Sequence, residues 1–166
     1  YNHVLAQAGN CVLDIRFGTA TLTTRLYRQG CTVYGQDFSH RMIELAQKKM
    51  PKAHLYQGDF SFGLARELTE HQYDSIIATY SLHHLSDPQK VGFLSNLLEL
   101  LKPNGCIYIG DVAFHTRDEL ETCRRRMAEM WDEDEIYFVF DELKDAFPQM
   151  EFEPISYCSG ILYLKR

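Results

Sequence analysis

Short apolar runs alternate along this chain with stretches in which apolar residues recur every three or four positions. The runs over residues 11–15, 31–36, 53–57, 74–79 and 106–110 have the length and composition of buried strands. The intervals between them have the spacing of amphipathic helices. This alternation predicts a parallel sheet that is covered by helices on both faces.

Residues that start or stop helices mark the predicted boundaries. Residues 20–29 carry Leu22 and Leu26 four positions apart, and Gly30 follows as a stop signal. The other predicted helices run from the Ser39 cap to Pro51, over residues 64–70, and from Asp87 as N-cap with Pro88 at the first helical position to residues 103–105.

The last third of the chain departs from this alternation. Thr116 and Glu119 have the spacing of a capping box before a helix with an apolar stripe, and residues 141–147 predict a further helix. Residues 152–157 and 161–165 flank a compact turn, which predicts an antiparallel hairpin at the edge of the sheet. The predicted fold class is therefore α/β, a three-layer, doubly wound and mostly parallel sheet.

Composition and charge fit one globular domain over residues 1–166 and disfavour several functions. The net charge of −6 argues against a nucleic-acid surface, and the single basic run, residues 124–126, is soon followed by an acidic one. The five cysteines are scattered without a C-x-x-C pair, which predicts a reduced, cytoplasmic protein. No apolar run approaches membrane-spanning length, so no membrane partner is expected.

The loop after the first strand carries the first chemical signal. Asp14 is followed at every second position by Arg16, Gly18 and Ala20. This pattern resembles the signature loop of class I S-adenosylmethionine-dependent methyltransferases, D-x-G-x-G-x-G, in which the backbone turns sharply and approaches the cofactor closely. Only the middle glycine is present here.

Residues at the ends of the next two strands extend the resemblance. Asp37, followed by Phe38, comes 19 positions after Gly18, where an acidic side chain can accept hydrogen bonds from both ribose hydroxyls. Asp59 and Phe60 follow the third strand and are similar to the adenine-contacting turn of the family.

The resemblance continues to the end of the chain and covers residues 11–166. Residues 73–85, which include Thr79 and Ser81, are similar to the family's fourth motif, and residues 100–106 match its L-L-K-P-G-G element. A terminal hairpin also fits the seven-stranded sheet of the family.

This resemblance implies methyl transfer from S-adenosylmethionine to a small-molecule acceptor, with S-adenosylhomocysteine (SAH) as the product, by a monomer or homodimer. It is nearest to small bacterial methyltransferases of uncharacterised substrate, whose N-terminal lid helices are not expected here. The implied cofactor-binding residues are Asp14, Arg16, Gly18, Asp37, Phe38, Asp59, Phe60, Thr79 and Ser81. A nicotinamide dehydrogenase would require G-x-G-x-x-G, which the loop does not supply.

Tyr80, His83 and His84 are the candidate catalytic residues. An imidazole titrates near neutrality and is suited to general-base catalysis. Methyl transfer often needs only alignment of the nucleophile and the sulfonium, so a general base is not required. In that interpretation one histidine has a structural role and packs against or caps the loop before Asp87. Tyr80 either lines the pocket or packs beside it. No metal is expected, because neighbouring side chains should diverge and no third ligand has suitable spacing.

Arg16 leaves three interpretations open. Its side chain blocks the methionine end of the cofactor site, or it bends back and pairs with the methionyl carboxylate, or the arginine was introduced by cloning or sequencing. The first interpretation supports an alternative function, a non-catalytic binding domain that kept the fold.

The candidate residues are predicted to share one edge of the sheet. In a doubly wound sheet, the loops that contain Gly18, Asp37, Asp59 and residues 79–84 all follow parallel strands, so they emerge together where the winding reverses. Residues 112–140 are rich in aromatic and methionine side chains and either cover an acceptor or form core.

Overall fold

The computed structural model describes residues 2–166, which form a seven-stranded sheet and a separate two-stranded pair. The strands are β1 (Cys11–Ile15), β2 (Thr32–Asp37), β3 (His54–Gln57), β4 (Tyr73–Thr79), β5 (Leu101–Asp111), β6 (Ala113–Phe114), β7 (Phe138–Val139), β8 (Glu151–Pro154) and β9 (Gly160–Lys165). The large sheet has the order β3-β2-β1-β4-β5-β9-β8. Its first five strands are parallel, and β9 and β8 are antiparallel, which confirms the predicted fold class.

Helices connect the parallel strands and precede the terminal hairpin. They are α1 (Asn2–Gln7), α2 (Thr21–Arg28), α3 (His40–Lys49), α4 (Arg66–Thr69), α5 (Asp87–Glu99), α6 (Arg117–Met127) and α7 (Phe140–Lys144). Short 3-10 turns lie at Phe60–Phe62, Leu82–His84 and Ala128–Met130. In the part of the chain that the structure describes, no helix has the length and apolar character needed to cross a membrane.

Each face of the sheet buries its own cluster of apolar side chains, because successive side chains of a strand point to opposite faces. On one face, Leu13 and Ile76 lie in the main core with Leu94 of α5. On the other face, Val12 and Ile77 contact residues of α1 and α2. Each central strand is therefore buried on both faces, which explains why the strands read as continuous apolar runs.

Several local predictions need correction. The N-cap of α5 is Ser86, not Asp87, and Ser86 forms a reciprocal capping box with Gln89. The side chain of Thr116 caps α6 as predicted, but the carboxylate of Glu119 accepts from the backbone amide of His115 instead of closing the box.

Some elements were not predicted or have different bounds. Helix α1 precedes the first strand, and the parallel pair β6·β7 lies inside the segment predicted as helix and loop. The last helix spans Phe140–Lys144 instead of residues 141–147, and β8 ends at Pro154, three residues before the predicted end. These are short elements whose ends depend on tertiary contacts.

A buried cation anchors the segment that follows α6. Lys90 of α5 is fully buried, and its ammonium group donates to Asp87 Oδ1 at 3.1 Å and to the backbone carbonyl of Ile136. It also lies 4.5 Å from the ring centroid of Phe138. Burial lowers the pKa of Lys90, while the charge of Asp87 opposes this effect. The ammonium therefore holds the loop before β7 against α5.

Replacing Lys90 is expected to destabilise the fold. Lys90→Ala removes the buried stem and leaves a carbonyl unpaired, which should cost on the order of 3 kcal/mol of unfolding free energy in urea titrations. Lys90→Met is the matched control, because it keeps most of the stem and should lose less. A Lys90→Met protein as stable as the unmodified one would show that the ammonium adds no net stability.

Candidate active site

The loop after β1 adopts left-handed backbone conformations at alternate residues. Arg16, Gly18 and Ala20 have φ values of 58°, 51° and 55°. These are the three positions at which the sequence pattern calls for glycine, because side chains other than glycine are disfavoured in this region. The loop therefore keeps the glycine geometry even where glycine is missing, and the strain falls on Arg16 and Ala20.

Asp37 at the end of β2 fixes this loop. Its carboxylate accepts from the amide of Gly18 at 3.0 Å and from the amide of Ser39 at 2.9 Å, and its exposed fraction is 2%. The prediction that Gly18 and Asp37 lie at one edge of the sheet is confirmed. The carboxylate also joins the first crossover to the start of α3.

Asp14 lies directly below the loop and is buried. One carboxylate oxygen accepts from the Thr23 hydroxyl of α2, and the other, Oδ1, has no hydrogen-bond partner among the described residues. Burial raises the pKa of Asp14 to about 7, and the nearby charge of Asp37 adds to this effect. The loop amide of Gly18 donates to Asp37 and not to Asp14.

These residues border a cavity of about 440 Å³ at the carboxyl edge of the sheet. Among its lining residues are Asp14, Arg16, Gly18, Asp37, Phe38, Thr79 and Tyr80. The predicted common edge of the first, second and fourth strand ends is therefore confirmed as far as Tyr80. Residues 81–84, which were predicted at the same edge, do not line this cavity, because the chain turns into the core at Ser81.

Arg16 lines the cavity without filling it. Its guanidinium carbon lies 5.4 Å from the ring centroid of Phe38, which is 56% exposed, so the two side chains form a cation–π pair on the cavity wall. Within the described residues, no carboxylate lies within ion-pair distance of this guanidinium. Arg16 therefore keeps its charge available at the cavity.

The remaining cofactor candidates lie outside the cavity lining. Asp59 accepts from the amide and hydroxyl of Ser61 at 2.9 and 2.7 Å, and these bonds lower its pKa. Phe60 is buried in the main core, 5.6 Å from the ring centroid of Phe93. The hydroxyl of Ser81 is fully buried and has no partner among the described residues.

The histidine pair lies between two carboxylates. His83 Nδ1 is 2.7 Å from Asp111 Oδ1, and His83 Nε2 is 3.4 Å from Glu135 Oε1. Burial opposes protonation of His83, but the hydrogen bond and charge of Asp111 outweigh it, so the pKa of His83 is raised. Burial and the neighbouring His83 lower the pKa of His84.

Two expectations about this pair are wrong. The side chains do not diverge, because the ring centroids of His83 and His84 are 4.3 Å apart. A third potential ligand is present, because Glu135 approaches both histidines across a long stretch of sequence. The folded chain thus brings together three groups whose spacing in the sequence gave no sign of a cluster.

Sequence reasoning missed Asp111, Glu135 and Thr23. Asp111 was detectable, because it ends β5 in the same way as Asp37 ends β2, and acidic residues at the carboxyl ends of parallel strands belong to the site edge. Thr23 and Glu135 carry no such signal. Residues 112–140 form core only in part: Phe114 and Val139 lie in a small buried cluster with α6, whereas Met130 is exposed.

A second, more apolar cavity of about 240 Å³ adjoins the first. The two share Leu22, Thr79 and Tyr80 in their walls, and the second also reaches Asp111 and Gly160. Tyr80 has φ of 48°, so its backbone is strained in the left-handed region between the two cavities.

Comparison with known proteins gives the chain its relatives. A family profile described as a methyltransferase domain matches residues 12–105. An uncharacterized methyltransferase of Oceanobacillus iheyensis is 30% identical over 158 residues, which cover 91% of this chain and 73% of the relative. A similar protein of a Geobacillus species is 34% identical over 159 residues, with the same coverage of 91% and 73%.

Solved structures share the architecture. A magnesium protoporphyrin IX methyltransferase from Synechocystis with bound SAH superposes with a TM-score of 0.74 at 19% identity, covering 99% of this chain and 81% of that chain. A methyltransferase of Clostridium acetobutylicum, described as S-adenosylmethionine-dependent, gives a TM-score of 0.72 at 12% identity, covering 97% and 85%. At such identities the likeness concerns the fold.

Asp14 is expected to make stability fall as the pH rises. Its pKa is about 7 in the folded protein, above that of an unfolded aspartate, so its contribution is complete below about pH 4 and is lost as the pH approaches 7. Urea unfolding should show a loss on the order of 3 kcal/mol from this group over that range. Asp14→Asn should remove that part of the pH dependence, and an unchanged profile would contradict a protonated Asp14.

Proposed function

Because the chain belongs to the methyltransferase domain family, we propose that it transfers a methyl group from S-adenosylmethionine to a small-molecule acceptor. The observation that carries this proposal is the cavity in which the Gly18 loop and Asp37 lie opposite Thr79 and Tyr80. A cavity at the carboxyl edge, where the winding of a doubly wound sheet reverses, is where such folds bind ligands.

The residues of the cavity fit the proposed cofactor. Asp14 Oδ1 is buried without a partner and would accept from the cofactor's ammonium group, directly or through water. Asp37 already accepts from two amides, and its remaining lone pairs suit ribose hydroxyls. Phe38 offers an exposed ring beside that position for stacking.

Bound S-adenosylmethionine supplies an electrophilic methyl group on a sulfonium. The chain positions the two reactants. Asp37 holds the loop, and Thr79 and Tyr80 lie between the larger cavity and the apolar one, which we assign to the acceptor. Alignment of an acceptor atom with the methyl group accelerates this reaction without a further reagent. The apolar walls suit a small acceptor that is largely hydrocarbon.

The histidines are proposed to assist acceptors that lose a proton. Asp111 orients His83 through Nδ1, and the lowered pKa of His84 keeps that exposed imidazole neutral near pH 7. A neutral imidazole is able to accept a proton. Tyr80 is proposed to position the acceptor at the boundary of the two cavities.

One observation supports the alternative of a non-catalytic binding domain. Arg16 occupies a glycine position, and its guanidinium lies on the wall of the cavity over Phe38. Calorimetric titration with SAH separates the alternatives, followed by measurement of SAH release from S-adenosylmethionine with a panel of small acceptors. Absence of SAH binding by a folded protein would overturn the proposed activity.

Asp37→Ala is expected to weaken SAH binding about 30-fold, which corresponds to about 2 kcal/mol for a lost charge-assisted hydrogen bond. Asp74→Ala is the matched control. The Asp74 carboxylate also accepts from two backbone amides, those of Asn10 and Cys11, but it lies at the opposite edge of the sheet. Equal affinities for SAH in the two folded variants would contradict the ribose role of Asp37.

Arg16→Gly is expected to tighten SAH binding, because glycine relieves the left-handed strain and opens the backbone to the cofactor. Arg16→Ala separates two effects: it removes the guanidinium but keeps a side chain at φ of 58°. Calorimetry should place its affinity between those of the unmodified protein and Arg16→Gly. Weaker binding by both variants would instead support pairing of Arg16 with the methionyl carboxylate.

A further inference from the structure

His83 has a carboxylate oxygen near each ring nitrogen. Asp111 Oδ1 lies 2.7 Å from Nδ1, and Glu135 Oε1 lies 3.4 Å from Nε2. A neutral imidazole has one N–H, and the short distance assigns it to Asp111. The lone pair of Nε2 then faces an anionic oxygen, so this arrangement calls for a positive charge between Nε2 and Glu135.

His84 makes the position more suitable for a metal ion than for a proton. One ligand atom from each of His83, His84 and Glu135 lies within 4.8 Å of the other two. A proton bridges two atoms, whereas a metal ion bonds to all three. Zinc bonds of about 2.0 Å at tetrahedral angles place neighbouring ligand atoms roughly 3.3 Å apart. The 3.4 Å between Nε2 and Glu135 Oε1 fits this spacing.

The groups around the cluster fix its orientation. Asp111 Oδ1 also accepts from the amide of Val112 at 2.8 Å, so the carboxylate that holds His83 is itself held. A carboxylate on the far nitrogen of a ligating histidine is the usual support of protein metal sites. On the other side, the amide of Ile136 donates to the carbonyl of His83 at 2.8 Å, which brings the neighbouring Glu135 to the histidines.

We propose that His83, His84 and Glu135 bind one divalent transition-metal ion, for which zinc is the best match. Two imidazoles and one carboxylate are a known zinc ligand set that leaves the fourth position open. Asp111 and Glu135 supply two negative charges at the cluster, against the single charge of the more distant Arg16. The site does not depend on the proposed methyl transfer. With the ion bound, the imidazole of His84 is a ligand and no longer the proton acceptor proposed above.

The site is tested by zinc binding to the chelator-treated chain of 166 residues, measured in competition with a chromogenic chelator. One equivalent of zinc should bind. His84→Ala, at an exposed position, and Glu135→Gln should each lower the zinc affinity about 100-fold, and Asp111→Asn about tenfold. Cobalt in the same site should give the visible absorption of a tetrahedral ion, and His84→Ala should abolish it.

His115→Ala is the matched control. His115 Nε2 lies 3.4 Å from Asp141 Oδ1, the same separation as in the proposed site, but this pair is not part of the three-ligand cluster. Zinc affinity should be unchanged in this variant. The proposal is overturned if no zinc binds saturably, which would assign the charge at His83 to a proton. It is also overturned if zinc binds equally to folded His84→Ala and Glu135→Gln, which would assign it to cysteines.

Discussion

The carboxylate of Asp37 joins the two loops on which the candidate site depends. By accepting from the amides of Gly18 and Ser39, it ties the turn after β1 to the start of α3 at the carboxyl edge of the sheet. With a buried carboxylate at this point, the left-handed loop has an anionic partner for its amide. The fixed loop lines the larger cavity together with Asp14 and the exposed Phe38.

Buried ionisable groups surround that edge and are each held differently. Asp14 accepts a hydrogen bond from one hydroxyl, and burial raises its pKa. The ammonium of Lys90 donates to a carboxylate and to a carbonyl. The carboxylate of Asp111 contacts a histidine and accepts from an amide. Burying such groups costs free energy unless they are paired. Asp14 lines the larger cavity and Asp111 the smaller one, which is the pattern expected where chemistry sets the residue choice.

At Arg16 the fold requires a left-handed backbone conformation that residues other than glycine disfavour. The loop geometry demands a left-handed residue, and a long charged side chain carries this cost without an ion-pair partner among the described residues. Such local conflicts tend to persist at functional positions. The guanidinium on the cavity wall is therefore the feature on which the two proposed functions differ.

The sequence by itself determined the fold class, the alternation of parallel strands with helices and the common edge of Gly18, Asp37 and Thr79, because periodicity and right-handed crossovers leave little freedom. It did not determine the cap at Ser86, the short pair β6·β7 or the placement of Phe60 in the core. Only the tertiary structure brought Glu135 to His83, since contacts between distant loops depend on packing and leave no periodic trace in the chain.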